Sequence, residues 1–290
     1  MPEGDTLRRL ANRIDERFAG ARVERAAMRD PRLVGCDLAG SVLLEADAYG
    51  KHLFVRFDDG RTLHAHLVMT GGFEVGRPSR EAEWKRRVEL WFESGRLTGV
   101  EVPILGVLPT IEEHEIIDRL GPDLCSPAGP PDVDEIARLL TADAAQPLTG
   151  ALLDQRCVAG FGNIYVNDVP FITGVNPFQP IGSIGGLSDL VAVGTALIRS
   201  NAERGPQNTT GRRLQTDARW VHGVGRRPCP ICGSRLEYRS GRQTPWQRSI
   251  TWCPSCQPTR ERADVRMDRA RRLIALHPAV KQAVFPPASP

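Results

Sequence analysis

Two groups of residues in this 290-residue chain have types and spacings suited to chemistry. The first is the start, Pro2-Glu3-Gly4-Asp5-Thr6. Met1 precedes a small residue, the setting in which an initiator methionine is usually removed, and removal leaves Pro2 as a free secondary amine. An α-amine titrates near about 7.7–8.0, so much of it is a nucleophile at neutral pH, whereas a lysine amine needs a special environment to match it. The Glu3 carboxylate follows directly, and Gly4 adds no bulk beside the pair. An amine and a carboxylate so placed can attack an electrophilic carbon and move protons around it. The same residues also read as an ordinary chain start ahead of a helix cap.

The second group is Cys229-Pro230-Ile231-Cys232 and Cys253-Pro254-Ser255-Cys256, two C-x-x-C pairs separated by twenty residues. Four thiolates in two knuckles match a tetrahedral structural Zn²⁺ with no open position for catalysis. Leu236–Arg239 and Ser249–Trp252 read as a hairpin between the pairs, with Gly241 near its tip, and so small a unit needs a metal for its folding energy. A 4Fe–4S cluster or a redox pair would use the same cysteines but leaves that hairpin unexplained. Arg242 and Arg248 fall on or near the hairpin, where phosphate insertion is one reading and a ribbon that only caps the chain or binds protein is the other. Cys36, Cys125 and Cys157 are scattered and read as small buried hydrophobes.

Charge distribution narrows the partner. The net charge is only +3, yet residues 204–258 hold ten arginines, no lysine, and Asp217 and Glu237 as their only acids. A one-sided arginine-rich segment implies an acidic partner, most simply nucleic acid, through bidentate phosphate contacts. Codon bias towards arginine would explain the missing lysines but not the missing acids. No apolar run approaches the roughly 20 residues of a membrane span, and no signal-peptide region precedes the first helix, so the expected setting is cytoplasmic.

The elements that must position these groups follow from periodicity. Leu7, Leu10, Ala11, Ile14 and Phe18 form one helical stripe over residues 5–19, with Asp5 as N-cap and Gly20 as stop. That helix would anchor the chain start, which otherwise frays. From about 21 to 108 the signal is short strands: Ala21–Ala27, Ser41–Asp47, His52–Phe57, Arg61–Val68, Gly72–Val75, Val88–Phe92 and Gly95–Val100. Turn residues separate them and no βαβ rhythm appears, which predicts an antiparallel sandwich or small barrel. A short helical piece spans 109–117. Breakers from Gly121 to Pro131 mark a linker. Beyond it the period is helical: Val133–Leu140, Leu148–Leu153, a helix from Asn163 past Val169, and Leu187–Arg199. Residues 205–222 read either as a loop ordered only on a polyanion or as a plain surface connection.

Several of these stretches together resemble the bacterial formamidopyrimidine-DNA glycosylase and endonuclease VIII family. Pro2-Glu3-Gly4-Asp5-Thr6 looks like the endonuclease VIII branch, actinobacterial type. Gly50-Lys51-His52-Leu53-Phe54 resembles the family's strand lysine motif. Leu152-Leu153-Asp154-Gln155 followed by Ala159 to Asp168 resembles its helix-two-turn-helix signature. Arg248 falls where its zinc-finger arginine is expected. The resemblance covers roughly residues 2–258 and implies a multi-domain α+β protein. Residues 1–125 would be a catalytic β-sandwich with an N-terminal helix, 132–225 a helix-two-turn-helix domain, 226–258 a zinc finger, and 259–290 a basic tail.

The resemblance also implies roles. Pro2 would attack C1′ of a flipped, damaged nucleotide and form a Schiff base, Glu3 would be the general acid/base, and Lys51 would position and protonate near the sugar, with Gly4 and Gln155 as supporting residues. Asn163 and Arg248 would clamp phosphates, with Arg242 beside them. Met69 would fill the hole left in the duplex, although a core methionine is the competing reading. The implied cofactor is one structural Zn²⁺, and the implied partner is double-stranded DNA with oxidised bases or abasic sites, bound by a monomer. The implied reaction is base excision, of oxidised pyrimidines first, with strand cleavage by β- or β,δ-elimination. The alternatives are the same chemistry on ring-opened or oxidised purines, and a catalytically impaired binder of damaged DNA. Three features depart from the family. Asp168 stands where glutamate is usual, and its shorter carboxylate is expected to weaken or lose that residue's part. The spacing of twenty between cysteine pairs exceeds the usual sixteen or so, with Thr244-Pro245-Trp246 inside it. Residues 259–290 match no family element; Val265 to Ile274 suggest a short helix, and the last ten residues a loose tail.

Overall fold

The computed structural model describes residues 2–286, without the Gln215 side chain, so the expectations about Met1 and about residues 287–290 lie outside it. The chain forms two compact units that divide between Arg119 and Leu120.

Helix α1 (Gly4–Phe18) opens the first unit, and its expected stripe is buried throughout. Asp5 is not the N-cap. Glu3 holds that position in extended conformation, while Asp5 is buried in the first turn and accepts from the Thr6 N–H at 2.7 Å. Gly20 ends the helix at φ +76, a backbone conformation that favours glycine, and its N–H reaches the Leu43 carbonyl at 2.7 Å. The strands that follow are β1 (Arg25–Met28), β2 (Leu43–Tyr49), β3 (His52–Phe57), β4 (Arg61–His66), β5 (Gly72–Val75), β6 (Arg86–Phe92), β7 (Gly95–Val100) and β8 (Ile104–Pro109). They make two antiparallel sheets, ordered β1-β6-β7-β5 and β2-β3-β4-β8. One core fills the sandwich: Leu53, Val55, Phe57 and Leu63 from one sheet, Val88, Leu90, Phe92 and Leu97 from the other, and the α1 stripe, with Phe18 stacked on Phe92 at 4.2 Å. β8 has no clear signal in the sequence. Its sequence lacks alternation and carries Gly106 and Pro109, which an edge strand tolerates. Helix α2 (His114–Ile117) closes the unit.

The second unit contains α3 (Val133–Leu140), α4 (Leu148–Leu153), α5 (Asn163–Thr173), β9 (Ile184–Gly185), α6 (Leu187–Arg204), β10 (Glu237–Arg239), β11 (Ile250–Trp252), β12 (Ala263–Asp264), α7 (Met267–Leu273) and α8 (Pro278–Val284). Its core runs from Leu152, Tyr165 and Leu197 through Leu236 and Ile250 of the hairpin to Ala270, Ile274 and Val280. Two expectations are corrected here. Residues 205–222 are neither a free loop nor a plain surface connection, because Thr209, Thr210, Ala218, Trp220 and Val221 are buried. Residues 278–284 are helical, so part of the stretch read as a loose tail is built into the unit. Among the described residues no helix is long and apolar enough to cross a membrane.

Candidate active site and metal centre

In the first unit α1 runs antiparallel to β2, and a series of contacts fixes the register. Near the helix C-terminus Gly20 bonds to Leu43. The Asp15 carboxylate accepts from the Ala46 N–H at 3.0 Å, and the Arg8 guanidinium pairs with Asp47 and the Ala48 carbonyl. Continued by one helical turn, this order carries Gly4, the first residue of α1, towards the end of β2 where the chain turns through Gly50-Lys51 into β3. Tyr49 pairs with His52, so Gly50 and Lys51 form a two-residue hairpin. Gly50 lies at φ +55, the positive φ that the first central position of such a turn requires. Glu3 and Gly4 are buried, and Pro2 and Lys51 are half-buried. The N-terminus of α1 thus runs towards the turn that carries the lysine.

Beside Lys51 stand three histidines that the sequence reading passed over. His52 Nδ1 and His64 Nε2 are 2.9 Å apart, with their rings stacked at 5.2 Å and 13°. His66 lies edge-on to His52 at 4.8 Å and 72°. Burial pushes all three below the usual imidazole range, His52 to about 3 and His64 and His66 to about 4, and the Lys51 charge adds to the effect on His52 and His66. The neutral state fits the geometry, since His66 Nδ1 accepts from the Val68 N–H at 3.1 Å. The signal was available. His64 and His66 are two apart and so share a strand face, and the β3–β4 hairpin sets His52 opposite His66. Val68, at φ +49, leads into Met69, which is 58% exposed and so not a core methionine.

In the second unit Gln155 staples the turn between α4 and α5. Its Nε2 donates to the Leu153 and Phe161 carbonyls at 3.0 and 3.1 Å, and its Oε1 accepts from the Gly160 N–H at 3.0 Å. Asn163, at the first position of α5 and 4% exposed, has its Nδ2 3.3 Å from His222 Nε2 and 3.4 Å from Ser249 Oγ. One turn on, Asn167 donates to the Asn163 and Ser249 carbonyls and accepts from the Thr251 N–H at 2.7 Å, which ties α5 to β11. Asp168 is fully buried and accepts from the backbone N–H groups of Trp220, Val221 and His222 at 3.0, 2.9 and 2.9 Å and from the Thr209 hydroxyl. The shorter carboxylate therefore has a full set of partners and folds the 208–222 stretch onto α5. Through that stretch it delivers His222 to Asn163.

The hairpin of β10 and β11 carries the remaining residues. Arg248 is half-buried and follows Gln247, which sits at φ +52; its Nη1 donates to the Gln247 carbonyl at 3.1 Å. Arg242 is exposed in a short 3₁₀ turn closed by a capping box between Ser240 and Gln243. The extra length of the hairpin is docked rather than free. Trp246 stacks on Phe178 at 6.3 Å and covers Gly150 of α4 so closely that a Cβ there would lie 2.4 Å from its indole nitrogen.

The four sulfurs of Cys229, Cys232, Cys253 and Cys256 lie within 4.8 Å of one another. Tetrahedral zinc with Zn–S bonds of about 2.3 Å spaces its sulfurs by about 3.8 Å. Cys229 and Cys256 are 3.9 Å apart and Cys232 and Cys253 3.5 Å, so the cluster has the size of that coordination shell. The Gly233 N–H closes the first knuckle on the Cys229 carbonyl at 3.0 Å, and in the second Gln257 Oε1 accepts from the Cys253 N–H at 3.0 Å. Four thiolates leave no position for a reacting ligand.

Comparison with known proteins assigns the class. Residues 1–101 match the formamidopyrimidine-DNA glycosylase N-terminal domain. Over 89% of its length the chain is 35% identical to a probable endonuclease 8 2 of Streptomyces coelicolor, covering 94% of that protein. It is also 35% identical to the DNA-(apurinic or apyrimidinic site) lyase Nei2 of Mycolicibacterium smegmatis, covering 99% of it. The crystal structure of MutM (Fpg) from Thermus thermophilus superposes with a TM-score of 0.71 at 27% identity, covering 89% of this chain and all of that one. Lactococcus lactis Fpg bound to abasic-site DNA shares the fold at a TM-score of 0.74 and 19% identity, again over 89% of this chain and all of that one. The chain belongs to the formamidopyrimidine-DNA glycosylase/endonuclease VIII family of DNA-repair glycosylases and lyases.

Proposed function

We propose that this chain is a bifunctional DNA glycosylase/AP lyase that removes oxidised bases, pyrimidines first, from double-stranded DNA through a Schiff base on Pro2. The observation that supports the reading is the antiparallel register of α1 on β2, in which the N-terminus of α1 runs towards the end of β2 that leads into Lys51. In this reading the Pro2 nitrogen attacks C1′ and the C1′–base bond breaks, with the base leaving with the bonding pair and a proton. Glu3 gives a proton to the ring oxygen as the sugar opens to the iminium. The iminium draws electrons from C2′, which loses a proton, and the 3′ phosphate leaves; hydrolysis then frees the amine, either directly or after a second elimination that also releases the 5′ phosphate. Lys51 contributes positive charge that favours the neutral, nucleophilic form of Pro2. Asn163 and Arg248 hold phosphates flanking the extruded sugar, offsetting an unstacking cost of a few kcal/mol, and the exposed Met69 enters the gap. One zinc ion on the four cysteines would fix the hairpin that presents Arg242 and Arg248. The pyrimidine preference is supported by relatives whose names are endonuclease 8.

Borohydride trapping on duplexes carrying thymine glycol, 8-oxoguanine or an abasic site tests the reading. The expected adducts form with thymine glycol and the abasic site, vanish in Pro2→Gly and persist in Lys51→Ala. Preferential trapping on 8-oxoguanine would move the substrate to purines, and no adduct with any duplex would leave only a binding role.

A further inference from the structure

The turn between β4 and β5 holds a strained backbone position at the base of its exposed tip. Three non-glycine residues among those described lie at positive φ, Val68 (+49), Glu101 (+47) and Gln247 (+52), and of these only Val68 is β-branched. The left-handed region crowds any Cβ and tolerates a branched one least, so a valine persists there only when its surroundings over-determine it. Both feet of the turn are fixed. Leu67 is buried in the core, and the Gly71 N–H closes on the Leu67 carbonyl at 3.0 Å. Gly71 lies so close to the connection between β7 and β8 that a Cβ there would be 2.9 Å from Pro103 Cδ and 3.1 Å from Val102 Cα. Between the feet Val68, Met69 and Thr70 are exposed.

The group that selects the Val68 conformation is His66. Its Nδ1 accepts from the Val68 N–H at 3.1 Å, an acceptor two residues back of the kind that asparagine supplies in an Asx turn. The ring is itself held in place. The β3–β4 ladder sets His66 opposite His52, the two rings meet edge-on at 4.8 Å, and His52 Nδ1 is 2.9 Å from His64 Nε2. An acceptor on a ring of fixed orientation fixes the direction of the Val68 N–H, and with it the peptide that leads into Met69. A wedge already erect in the free protein has less ordering to lose when it binds.

We infer that His66 is a positioning residue for Met69: its Nδ1 latches the strained Val68 turn and keeps the wedge in the form that enters the gap in the duplex. The inference rests on the reading of Met69 given above. The part is exerted through the Val68 backbone and needs no contact of the ring with DNA.

The full chain is titrated with a duplex that carries a tetrahydrofuran abasic analogue opposite 2-aminopurine, whose fluorescence reports its stacking as the gap is filled. Urea unfolding checks that each variant folds. Met69→Ala comes first; if it binds and shifts the fluorescence as wild type does, the wedge reading fails and this inference with it. His66→Phe keeps a ring beside His52 and removes the acceptor. Release of the strained turn should then weaken binding by about tenfold, and the loss should disappear when residue 69 is already alanine. His66→Asn sets its Oδ1 where Nδ1 was and should bind nearly as wild type does. Val68→Gly takes up positive φ without a latch and should restore binding to His66→Phe. Val68→Pro has neither the N–H nor access to positive φ, so it should reproduce the loss with His66 intact, and it serves if His66→Phe does not fold. Binding by His66→Phe equal to wild type would overturn the latch. So would His66→Asn as weak as His66→Phe with no rescue by Val68→Gly, or a loss that persists beside Met69→Ala; either would make His66 a DNA contact in its own right.

Discussion

Asp168 illustrates what a single position does and does not reveal. Its side chain is one methylene shorter than the glutamate usual in this family, and sequence alone suggests a weaker role. In the structure the partners come to it: Thr209, Trp220, Val221 and His222 lie 41 to 54 positions away and converge on its two oxygens. Contacts at that separation leave no local signature, which is why this hub was not legible. Asp168→Asn would turn an amide N–H towards backbone donors, and we expect a loss of about 2–4 kcal/mol in urea unfolding, with earlier proteolysis within 208–222. Asp168→Glu should fold but shift His222. The histidine stack gives a second prediction. Unfolded imidazoles take up protons near about 6.5. In the folded protein His64 and His66 resist to about 4 and His52 to about 3. The unfolded state therefore binds more protons below the unfolded value, and the first unit should lose stability progressively as pH falls from there towards about 4. His64→Phe, which keeps a ring in the stack, should flatten that fall; an unchanged slope would exclude the stack as its source.

At the level of elements, the sequence was most readable where one face of a strand or helix is buried. β3, β5 and β7 begin and end where turn residues put them, and α3 lies where its helical spacing puts it, with Ile136 and Leu140 on its buried face. The pattern of α1 was equally plain, although its cap was misassigned because Asp5 turns inward. β8 and α8 carry no such pattern, and tertiary packing makes them. The Gly160-Phe161-Gly162 turn shows how tightly elements are matched. Phe161 packs on Gly194 of α6, where a Cβ would lie 2.4 Å from the ring. Gly194→Ala should push Phe161 and the turn outwards, costing about 1–3 kcal/mol in thermal unfolding, and should weaken binding of abasic-site duplexes through Asn163. A variant with wild-type stability and affinity would mean that the turn tolerates displacement.

For the molecule as a whole, charge and chemistry are carried by different parts of the chain: the amine, carboxylate and lysine in the first unit, and the arginine-rich segment in the second. Under the proposed function, phosphate binding by that segment would make affinity fall linearly with salt on a double-logarithmic scale. Arg248→Ala should reduce that slope by about 1 and weaken binding alike on all duplexes. An unchanged slope in fluorescence anisotropy would remove Arg248 from the phosphate contacts. The helical and strand stretches and the metal cluster were legible in the sequence, since both follow from local spacing; the placement of Lys51 at the end of β2 towards which the N-terminus of α1 runs was not, because it depends on the register of α1 against β2. The central claim concerns which amine bonds to the sugar. Besides the chain start, the sequence offers only Lys51, Lys85 and Lys281. Borohydride trapping on an abasic-site duplex, followed by proteolysis and mass spectrometry, should place the adduct on a peptide that begins at Pro2 and lacks Met1. An adduct on any of the three lysines, or a fully active enzyme that retains Met1, would contradict the account.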